Sequence, residues 1–291
     1  MKQYLFDKYV SLLKKFSRGY GLGKSPVFRP IFKKIHQNFK PDFIIIQNQK
    51  MFLDSKDSLQ LSLNGIYGEF ETEIVKNEIK PNDVVLDVGA HIGYFTLLFA
   101  KLVGSEGKVF SFEPEPKNFE LLTKNIEINN YDNVITESKI VSDKNEKCTL
   151  YTFETSSGAN RIYKPNENAN TKPIEVDSIS LDEYFKNSEF LKRIKFVKID
   201  VEGAELLVLK SMKSIFQNNN NIKLLLEFNP KFLLEIGSKS SDFFNLLHSE
   251  SFSIFFIDGK NHKLIPLNSD TELDPKLFEN DVVNLFCTKI D

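Results

Sequence analysis

The chain contains no tryptophan and only two cysteines among its 291 residues. Cys148 and Cys287 lie far apart, and no Cys/His group has zinc-site spacing, which argues against a disulfide framework and a structural zinc site. A reducing compartment such as the cytoplasm is the expected setting. No apolar run reaches membrane-spanning length, and the N-terminus lacks the apolar core of a signal peptide.

The net charge is only −2, but it is unevenly distributed along the chain. Residues 1–50 hold eleven Lys and Arg against two Asp, a charge of +9, which leaves −11 for the remaining residues. A basic end on an acidic body predicts an anionic partner or docking onto the chain itself. It does not indicate nucleic-acid binding by the chain as a whole.

The N-terminal segment has the pattern of an amphipathic helix. Residues 2–17 place apolar side chains at helical spacing, with lysines on much of the other face. Such a helix could pack on its own domain or on a second copy in a homo-oligomer. Alternatively, residues 1–40 could contact an anionic membrane surface, making a cytoplasmic protein membrane-associated. We expect a basic helical extension over residues 1–58 and one catalytic domain over residues 59–291.

Strand-like and helical patterns alternate through most of the chain. Continuous apolar runs such as VVLDV and KLLLEF are typical of strands buried on both faces. The alternation predicts an α/β fold with a mostly parallel sheet and helices on both faces. Seven strands are expected, the last two as an antiparallel closing pair: 84–88, 108–112, 134–141, 195–199, 222–228, 254–257 and 282–288.

The turn after the first of these strands, DVGAHIG, carries the strongest functional signal. Ligands of open α/β sheets bind beyond the carboxyl ends of the strands, where Asp87 lies. Gly89 and Gly93 are expected to let the backbone approach a ligand where a Cβ would collide. His91 replaces the middle glycine of D-x-G-x-G-x-G, and histidine tolerates left-handed backbone angles. Glu113, after the next strand, can accept both ribose hydroxyls of an adenosine. The turn alone leaves NAD and S-adenosylmethionine open.

Five segments extend this signal over about residues 66–229. DVGAHIGYFTLLFA is followed by FSFEPEPKNFELLTKNIEINN, VDSISLDEYF, FVKIDVEGAELLVLKSM and LLLEFNP. This ordered set resembles the FkbM family of S-adenosylmethionine-dependent methyltransferases. The resemblance implies a class I methyltransferase, Rossmann-like fold, S-adenosylmethionine as methyl donor, and usually O-methylation of a hydroxyl on a saccharide, glycolipid or other natural product. His91 departs from the family, which commonly has Asn there.

The resemblance also implies roles for individual residues in binding the donor. The glycine turn would hold its methionine half, Glu113 its ribose, and the segment after the third strand its adenine, with Asp143 as a partner for the adenine amino group. The implied donor-binding residues are Glu69, Asp87, Gly89, Ala90, His91, Gly93, Glu113, Val141 and Ser142.

Acidic residues follow the fourth and fifth strands along one rim of the sheet. Asp200 or Glu202 could act as a general base toward a substrate hydroxyl. Alternatively, Asp200, Glu227 and Asn229 could hold a divalent cation such as Mg²⁺, which lowers the pKa of that hydroxyl. For Glu202 a structural interpretation is also open, because acidic residues favour the first turn of a helix. Arg161, in a polar loop, is expected either to meet an anionic group of the acceptor or to be an ordinary exposed residue.

Two other functions compete with methyl transfer. An NAD(P)-dependent oxidoreductase would share the acidic residue after the second strand, but the chain lacks the full G-x-G-x-x-G fingerprint and a Tyr-x-x-x-Lys pair in a suitable helix. A catalytically inactive binding protein could keep the donor fold without turnover. The intact acidic and glycine positions argue against that second alternative.

Overall fold

The computed structural model describes Lys8 and residues 42–153, 157–164, 170–268 and 282–289. The helix predicted over residues 2–17 lies outside the described residues, apart from Lys8. The chain divides into two compact units, Met1–Tyr67 and Gly68–Asp291. The predicted boundary after residue 58 stays a prediction.

The described part of the first unit begins with a hairpin. Strands β1 (Ile44–Ile46) and β2 (Gln49–Met51) pair antiparallel, and a one-turn helix, α1 (Leu61–Asn64), follows. Gln47 and Asn48 form the hairpin turn with positive φ angles of 50° and 64°, as a two-residue hairpin turn requires. The described end of the predicted helical extension is therefore β structure.

The second unit alternates strands and helices, as the sequence predicts. Within the described residues no helix combines the length and apolar character that crossing a bilayer requires. The elements, in chain order, are α2 (Glu69–Glu78), β3 (Val84–Val88), α3 (Tyr94–Val103), β4 (Lys108–Phe112), α4 (Pro116–Ile128), β5 (Val134–Glu137), β6 (Ile140–Val141), β7 (Lys147–Phe153), β8 (Thr171–Ile179), α5 (Leu181–Phe185), β9 (Ile194–Ile199), α6 (Glu205–Lys210), α7 (Lys213–Asn218), β10 (Lys223–Phe228), α8 (Pro230–Glu235), α9 (Ser240–Ser249), β11 (Phe252–Asp258), β12 (Lys263–Pro266) and β13 (Val283–Lys289).

The central sheet has the order β12-β11-β13-β10-β9-β3-β4-β5. Strands β5, β4, β3, β9 and β10 run parallel, whereas β13 lies antiparallel between β10 and β11. The predicted α/β fold with an antiparallel closing pair is confirmed. Seven strands are predicted, and the sheet has eight. The additional strand is β12, whose residues are all exposed. A strand with no buried face has no apolar alternation by which the sequence could reveal it.

A smaller sheet stands beside the central one. Here β6 pairs parallel with β8, and β7 pairs antiparallel with β8 from Lys147↔Asp177 to Phe153↔Thr171. The single strand predicted over 134–141 is thus divided between two sheets. The connection between β7 and β8 includes residues 157–164, which we call the strap. The strap is tied to β7 by paired backbone hydrogen bonds between Tyr151 and Arg161.

Phenylalanine fills much of the core. Strand β3 is buried along its whole length, so the strand that precedes the glycine turn is fixed from both faces. Such packing holds the carboxyl ends of the central strands in place, which any site built there needs. Seven phenylalanines rank among the largest fully buried side chains: Phe99, Phe112, Phe185, Phe196, Phe216, Phe228 and Phe243.

Candidate active site

Asp87 in β3, Glu113 after β4 and Asp200 after β9 lie at the carboxyl edge of the central sheet. They lie near one another because these three strands are neighbours. Strand β3 lies between β4 and β9, with Asp87 opposite Ser111 on one side and Lys198 on the other. The backbone N–H of Asp200 donates to the carbonyl of Val88 at 3.0 Å. The loops after the three strands therefore surround one region, as expected for the ligand site of an open α/β sheet.

The glycine turn is shaped by contacts within the chain. A Cβ on Gly89 would lie 1.8 Å from the carbonyl oxygen of Asp200, and one on Gly93 would lie 2.7 Å from Cδ1 of Leu122. Contacts with neighbouring chain segments therefore already require glycine at both positions, and the predicted close approach of this backbone to a ligand stays a prediction. His91 has a φ of 52°, which confirms that it occupies a left-handed position.

Glu113 fastens the glycine turn to the loop after β4. Its carboxylate accepts the backbone N–H of His91 at 2.8 Å and that of Glu115 at 2.9 Å. The side chain is buried, and this burial raises the pKa of Glu113 to about 7. Each oxygen has a second lone pair, so both can still accept a hydroxyl.

Asp87 lies beneath the same turn. Its Oδ2 accepts the hydroxyl of Thr96 at 2.6 Å, and among the described residues its buried Oδ1 has no hydrogen-bond partner. Burial raises the pKa of Asp87 above its usual range, against the opposing effect of Lys198. A buried acceptor without a donor is costly, so the position favours a ligand that brings a positively charged donor.

Of the other residues implied in donor binding, some lie in the glycine turn and some lie on other elements. The N–H of Ala90 donates to the carbonyl of Phe112 at 3.0 Å. This hydrogen bond attaches the glycine turn to the end of β4. Val141 and Ser142 are buried where β6 meets β8, and Asp143 beside them is exposed. Glu69 is exposed at the first residue of α2, and no described hydrogen bond or ion pair links it to the turn.

Lys198, which the sequence reasoning missed, connects the two sides of the site. Its Nζ lies 3.0 Å from Oδ2 of Asp200 and 3.9 Å from Oδ1 of Asp87. Burial alone would lower the pKa of Lys198, but the two carboxylates outweigh it and raise the pKa above the ordinary value. A lysine within the buried run over residues 196–199 is the signal that could have revealed it, because buried lysines are paired.

Glu202 lies in the tight turn after β9. It has a φ of 53° and a partly buried side chain. Burial, followed by the charge of Asp200, raises its pKa to about 8. The interpretation of Glu202 as a first-turn residue is wrong, since α6 begins at Glu205. The Glu205 carboxylate instead accepts the N–H groups of Gly203 at 3.0 Å and Val201 at 3.3 Å, so Glu205 holds the turn.

The structure gives no support to the predicted metal site. The Oδ1 atom of Asn229 caps α8 by accepting the N–H groups of Lys231 at 3.1 Å and Phe232 at 3.2 Å. Burial and the charge of Asp200 raise the pKa of Glu227 well above its usual range. The part of the chain that the structure describes contains no group of three or more His, Cys, Asp or Glu placed to hold a metal ion.

The strap lies across this edge of the sheet and contacts both sides. At one end, the Ser157 hydroxyl lies 2.7 Å from Nε2 of His91. The Ser157 carbonyl also accepts the side-chain N–H of Asn118 at 2.9 Å. Further along, the Arg161 guanidinium lies 3.6 Å from the ring centroid of Phe232 in α8. The Arg161 side chain is only 16% exposed, so its interpretation as an ordinary exposed loop residue is wrong.

The strand order and the glycine turn define a class I methyltransferase fold. The sheet has five parallel strands and an antiparallel strand inserted before the next one. The glycine turn follows its central strand, and an acidic residue ends the neighbouring strand. A family model described as the methyltransferase FkbM domain matches residues 87–258. The chain belongs to the FkbM methyltransferase family.

Individual relatives match parts of the chain. Methyltransferase 1 of Beauveria bassiana is 27% identical over 149 residues, which are 45% of this chain and 59% of that protein. Hexuronic acid methyltransferase AglP of Haloferax volcanii is 31% identical over 148 residues, 50% of this chain and 57% of that protein. The chain thus matches a little over half the length of these two relatives.

A crystal structure of an FkbM methyltransferase from Methylobacillus flagellatus is 13% identical, with a TM-score of 0.41 over 78% of this chain and 52% of that one.

Proposed function

We propose that the protein transfers the methyl group of S-adenosylmethionine to a hydroxyl of a saccharide, glycolipid or other natural product. The observation that carries this proposal is Glu202, a carboxylate held at the carboxyl edge of the sheet with a pKa raised to about 8. A base with such a pKa retains a proton more strongly than an ordinary glutamate. It therefore suits proton removal from a hydroxyl near neutral pH.

The residues of the donor side fit S-adenosylmethionine. Oδ1 of Asp87 lies 3.9 Å from Nζ of Lys198 but has no hydrogen-bond partner among the described residues, so it suits a ligand ammonium group that can donate a hydrogen bond. Glu113 would hold the ribose through the lone pairs that its backbone partners leave available. S-adenosylmethionine supplies an electrophilic methyl group on a sulfonium centre.

The chain's own residues supply the proton transfer. Glu202 would accept the proton of the substrate hydroxyl on its carboxylate as that oxygen becomes nucleophilic. The positive φ of Glu202 and the hydrogen bond from the turn to Glu205 fix the backbone that carries this carboxylate, and such fixed geometry contributes to catalysis. Lys198 would act as a positioning residue, because its ammonium holds Asp200 beside the turn.

The acceptor class rests on a relative and on the surroundings of the base. The Haloferax volcanii relative is named a hexuronic acid methyltransferase, which favours a saccharide hydroxyl. The polar and aromatic side chains beside Glu202, namely Arg161, Tyr163 and Phe232, suit a sugar ring.

The alternative function, an NAD(P)-dependent oxidoreductase, conflicts with the methyltransferase family to which the chain belongs.

Two measurements test this proposal. Calorimetric titration should show binding of S-adenosylmethionine and S-adenosylhomocysteine and no binding of NAD. Formation of S-adenosylhomocysteine should then be measured with a panel of methyl glycosides of neutral hexoses and hexuronic acids. Absence of binding by either sulfur ligand contradicts the proposal, whereas binding without turnover on any acceptor favours the inactive binding protein.

We also propose a peripheral membrane contact through the basic residues 1–40, with a homo-oligomer as the alternative use of the same segment. The charge of +9 over residues 1–50 supports an anionic surface as the partner. Vesicles containing phosphatidylserine should sediment the full chain but not a chain lacking residues 1–40. Equal recovery of both in the supernatant argues against the membrane contact.

A further inference from the structure

We propose that Arg161 and Tyr163 of the strap form a subsite that recognises a carboxylate on the methyl acceptor. This inference rests on the proposed function, because it assigns the acceptor class for the same site. The acceptor would then be an acidic saccharide, methylated on a hydroxyl while its carboxylate is held by the strap.

The Arg161 guanidinium is held in a fixed orientation. Its Cζ lies 3.6 Å from the ring centroid of Phe232 and 5.4 Å from that of Phe153. Its Nη1 lies 3.9 Å from the Oε2 atom of Glu235, beyond hydrogen-bond distance. Stacking fixes the plane of the guanidinium and leaves its edges to bind ligands.

Two buried donors of this subsite lack partners. Among the described residues, neither Nε of Arg161 nor the hydroxyl of Tyr163 makes a hydrogen bond of good geometry, although Arg161 is close enough to Tyr163 to act on its pKa. A buried donor left without an acceptor costs free energy, so a ligand that supplies acceptors is favoured. The Nε edge of a guanidinium presents two parallel N–H groups, which match the two oxygens of a carboxylate.

The subsite adjoins the proposed base. A Cβ on Gly203 would lie 2.6 Å from Cβ of Phe232, so the turn that carries Glu202 packs against the residue on whose ring Arg161 stacks. The charge of Arg161 lowers the pKa of Glu202 against the raising effects of burial and Asp200. The charge of Glu202 likewise contributes to raising the pKa of Tyr163, which burial raises most. A carboxylate held at Arg161 therefore places the rest of a sugar ring near Glu202.

The local charges favour a carboxylate over other groups. Arg161 shares its charge with Glu235, so a carboxylate with one negative charge meets less repulsion from Glu202, Glu235 and Asp200 than a phosphate dianion would. A neutral hexose would leave the Nε edge of Arg161 without a charged acceptor. We therefore expect the subsite to prefer a uronic acid over both a neutral hexose and a hexose phosphate.

The test measures binding to the full chain saturated with S-adenosylhomocysteine. Saturation-transfer NMR titrations would compare D-glucuronate, D-glucose and D-glucose 6-phosphate. Glucuronate should bind at least about tenfold more tightly than the other two, since a charge-assisted hydrogen bond contributes on that scale. Arg161→Gln should remove this preference and Tyr163→Phe should weaken it. Arg193→Gln should retain it, because Arg193 also stacks on a phenylalanine, at 5.6 Å from the Phe190 ring, but lies beside the amino end of β9.

Each outcome is decisive for the subsite. The proposal is overturned by absence of glucuronate binding, by equal or tighter binding of glucose or glucose 6-phosphate, or by an unchanged preference in Arg161→Gln. If Arg161→Gln fails to bind S-adenosylhomocysteine, Tyr163→Phe decides in its place, with an unchanged preference again counting against the proposal. Loss of S-adenosylhomocysteine binding by the unaltered chain instead contradicts the proposed function, and the subsite with it.

Discussion

The two sides of the carboxyl edge are built differently. On the donor side, the glycine turn (residues 87–93) is fixed by hydrogen bonds to the backbone: Glu113 accepts two N–H groups, and Gly89 fits directly against Asp200. On the acceptor side, the strap and the turn at Glu202 combine buried donors that lack partners with a carboxylate of raised pKa. The backbone of the donor side is thus held in place and leaves one side-chain acceptor, Oδ1 of Asp87, without a hydrogen-bond partner, whereas the acceptor side leaves two side-chain donors without one.

The largest effect is expected on the acceptor side, at the proposed base. Glu202→Gln removes the proton acceptor and should lower kcat by about 10²- to 10⁴-fold, the usual contribution of a general base. The affinity for S-adenosylhomocysteine should stay within about twofold, because Glu202 is not part of the donor side. Turnover on the best acceptor of the glycoside panel and calorimetry measure the two quantities. The matched control is Glu183→Gln at an exposed position, which should change neither.

The pH dependence of turnover follows from the same residue. A base must be ionised, so kcat/KM should rise with pH up to the pKa of Glu202, near 8, and level off above it. Glu202→Gln should abolish this rise. A profile in the unaltered chain that is already flat between pH 5 and 8 would assign the proton transfer to another group.

On the donor side, the largest effect is expected at Gly89. Gly89→Ala adds a Cβ that would lie 1.8 Å from the backbone of Asp200 at a φ of +81°, so the two loops must separate. Gly104→Ala is the matched control, because Gly104 also has a positive φ but nothing lies within 4 Å of its Cβ position. Gly104→Ala should cost only the local backbone strain of its conformation (φ 70°, ψ −174°), about 1–3 kcal/mol, and Gly89→Ala clearly more in denaturant unfolding. Equal losses in the two variants would mean that the close approach at Gly89 is absent.

A smaller loss is expected when the carboxylate of Glu113 is removed. Glu113→Ala leaves the N–H groups of His91 and Glu115 without their acceptor and removes the proposed ribose partner. We expect S-adenosylhomocysteine to bind about 10- to 100-fold more weakly, the scale of one or two charge-assisted hydrogen bonds. Calorimetric titration measures this loss, and an unchanged affinity would place the ribose elsewhere.

The smallest effect is expected at His91. Asparagine also tolerates the left-handed backbone, so His91→Asn should preserve the turn and change S-adenosylhomocysteine affinity by less than about threefold. It removes the contact with Ser157, so any effect should fall on the acceptor side. A large loss of donor affinity would show that the imidazole itself contributes to donor binding.

The difference between the donor side and the acceptor side also explains which site residues could be predicted from the sequence. The donor side is encoded by a contiguous motif and by one acidic residue after the next strand, so its main residues and the left-handed His91 could be recognised. The acceptor side brings together Ser157 with His91 and Arg161 with Glu235, pairs separated by more than sixty residues. No local pattern reports such contacts. The exact role of Gly89 also escaped prediction, because its neighbour Asp200 comes from another strand.

The most direct test of this account is a carbon-detected NMR titration of the glutamate carboxyl groups in the unaltered chain and in Glu202→Gln. The unaltered chain should show a carboxyl signal with a midpoint near pH 8 that is missing from the variant. The signals of Glu113 and Glu205, with midpoints near 7, should persist in both spectra. A Glu202 signal with a midpoint near 4.5, the ordinary value, would contradict the claim that the acceptor side holds the base.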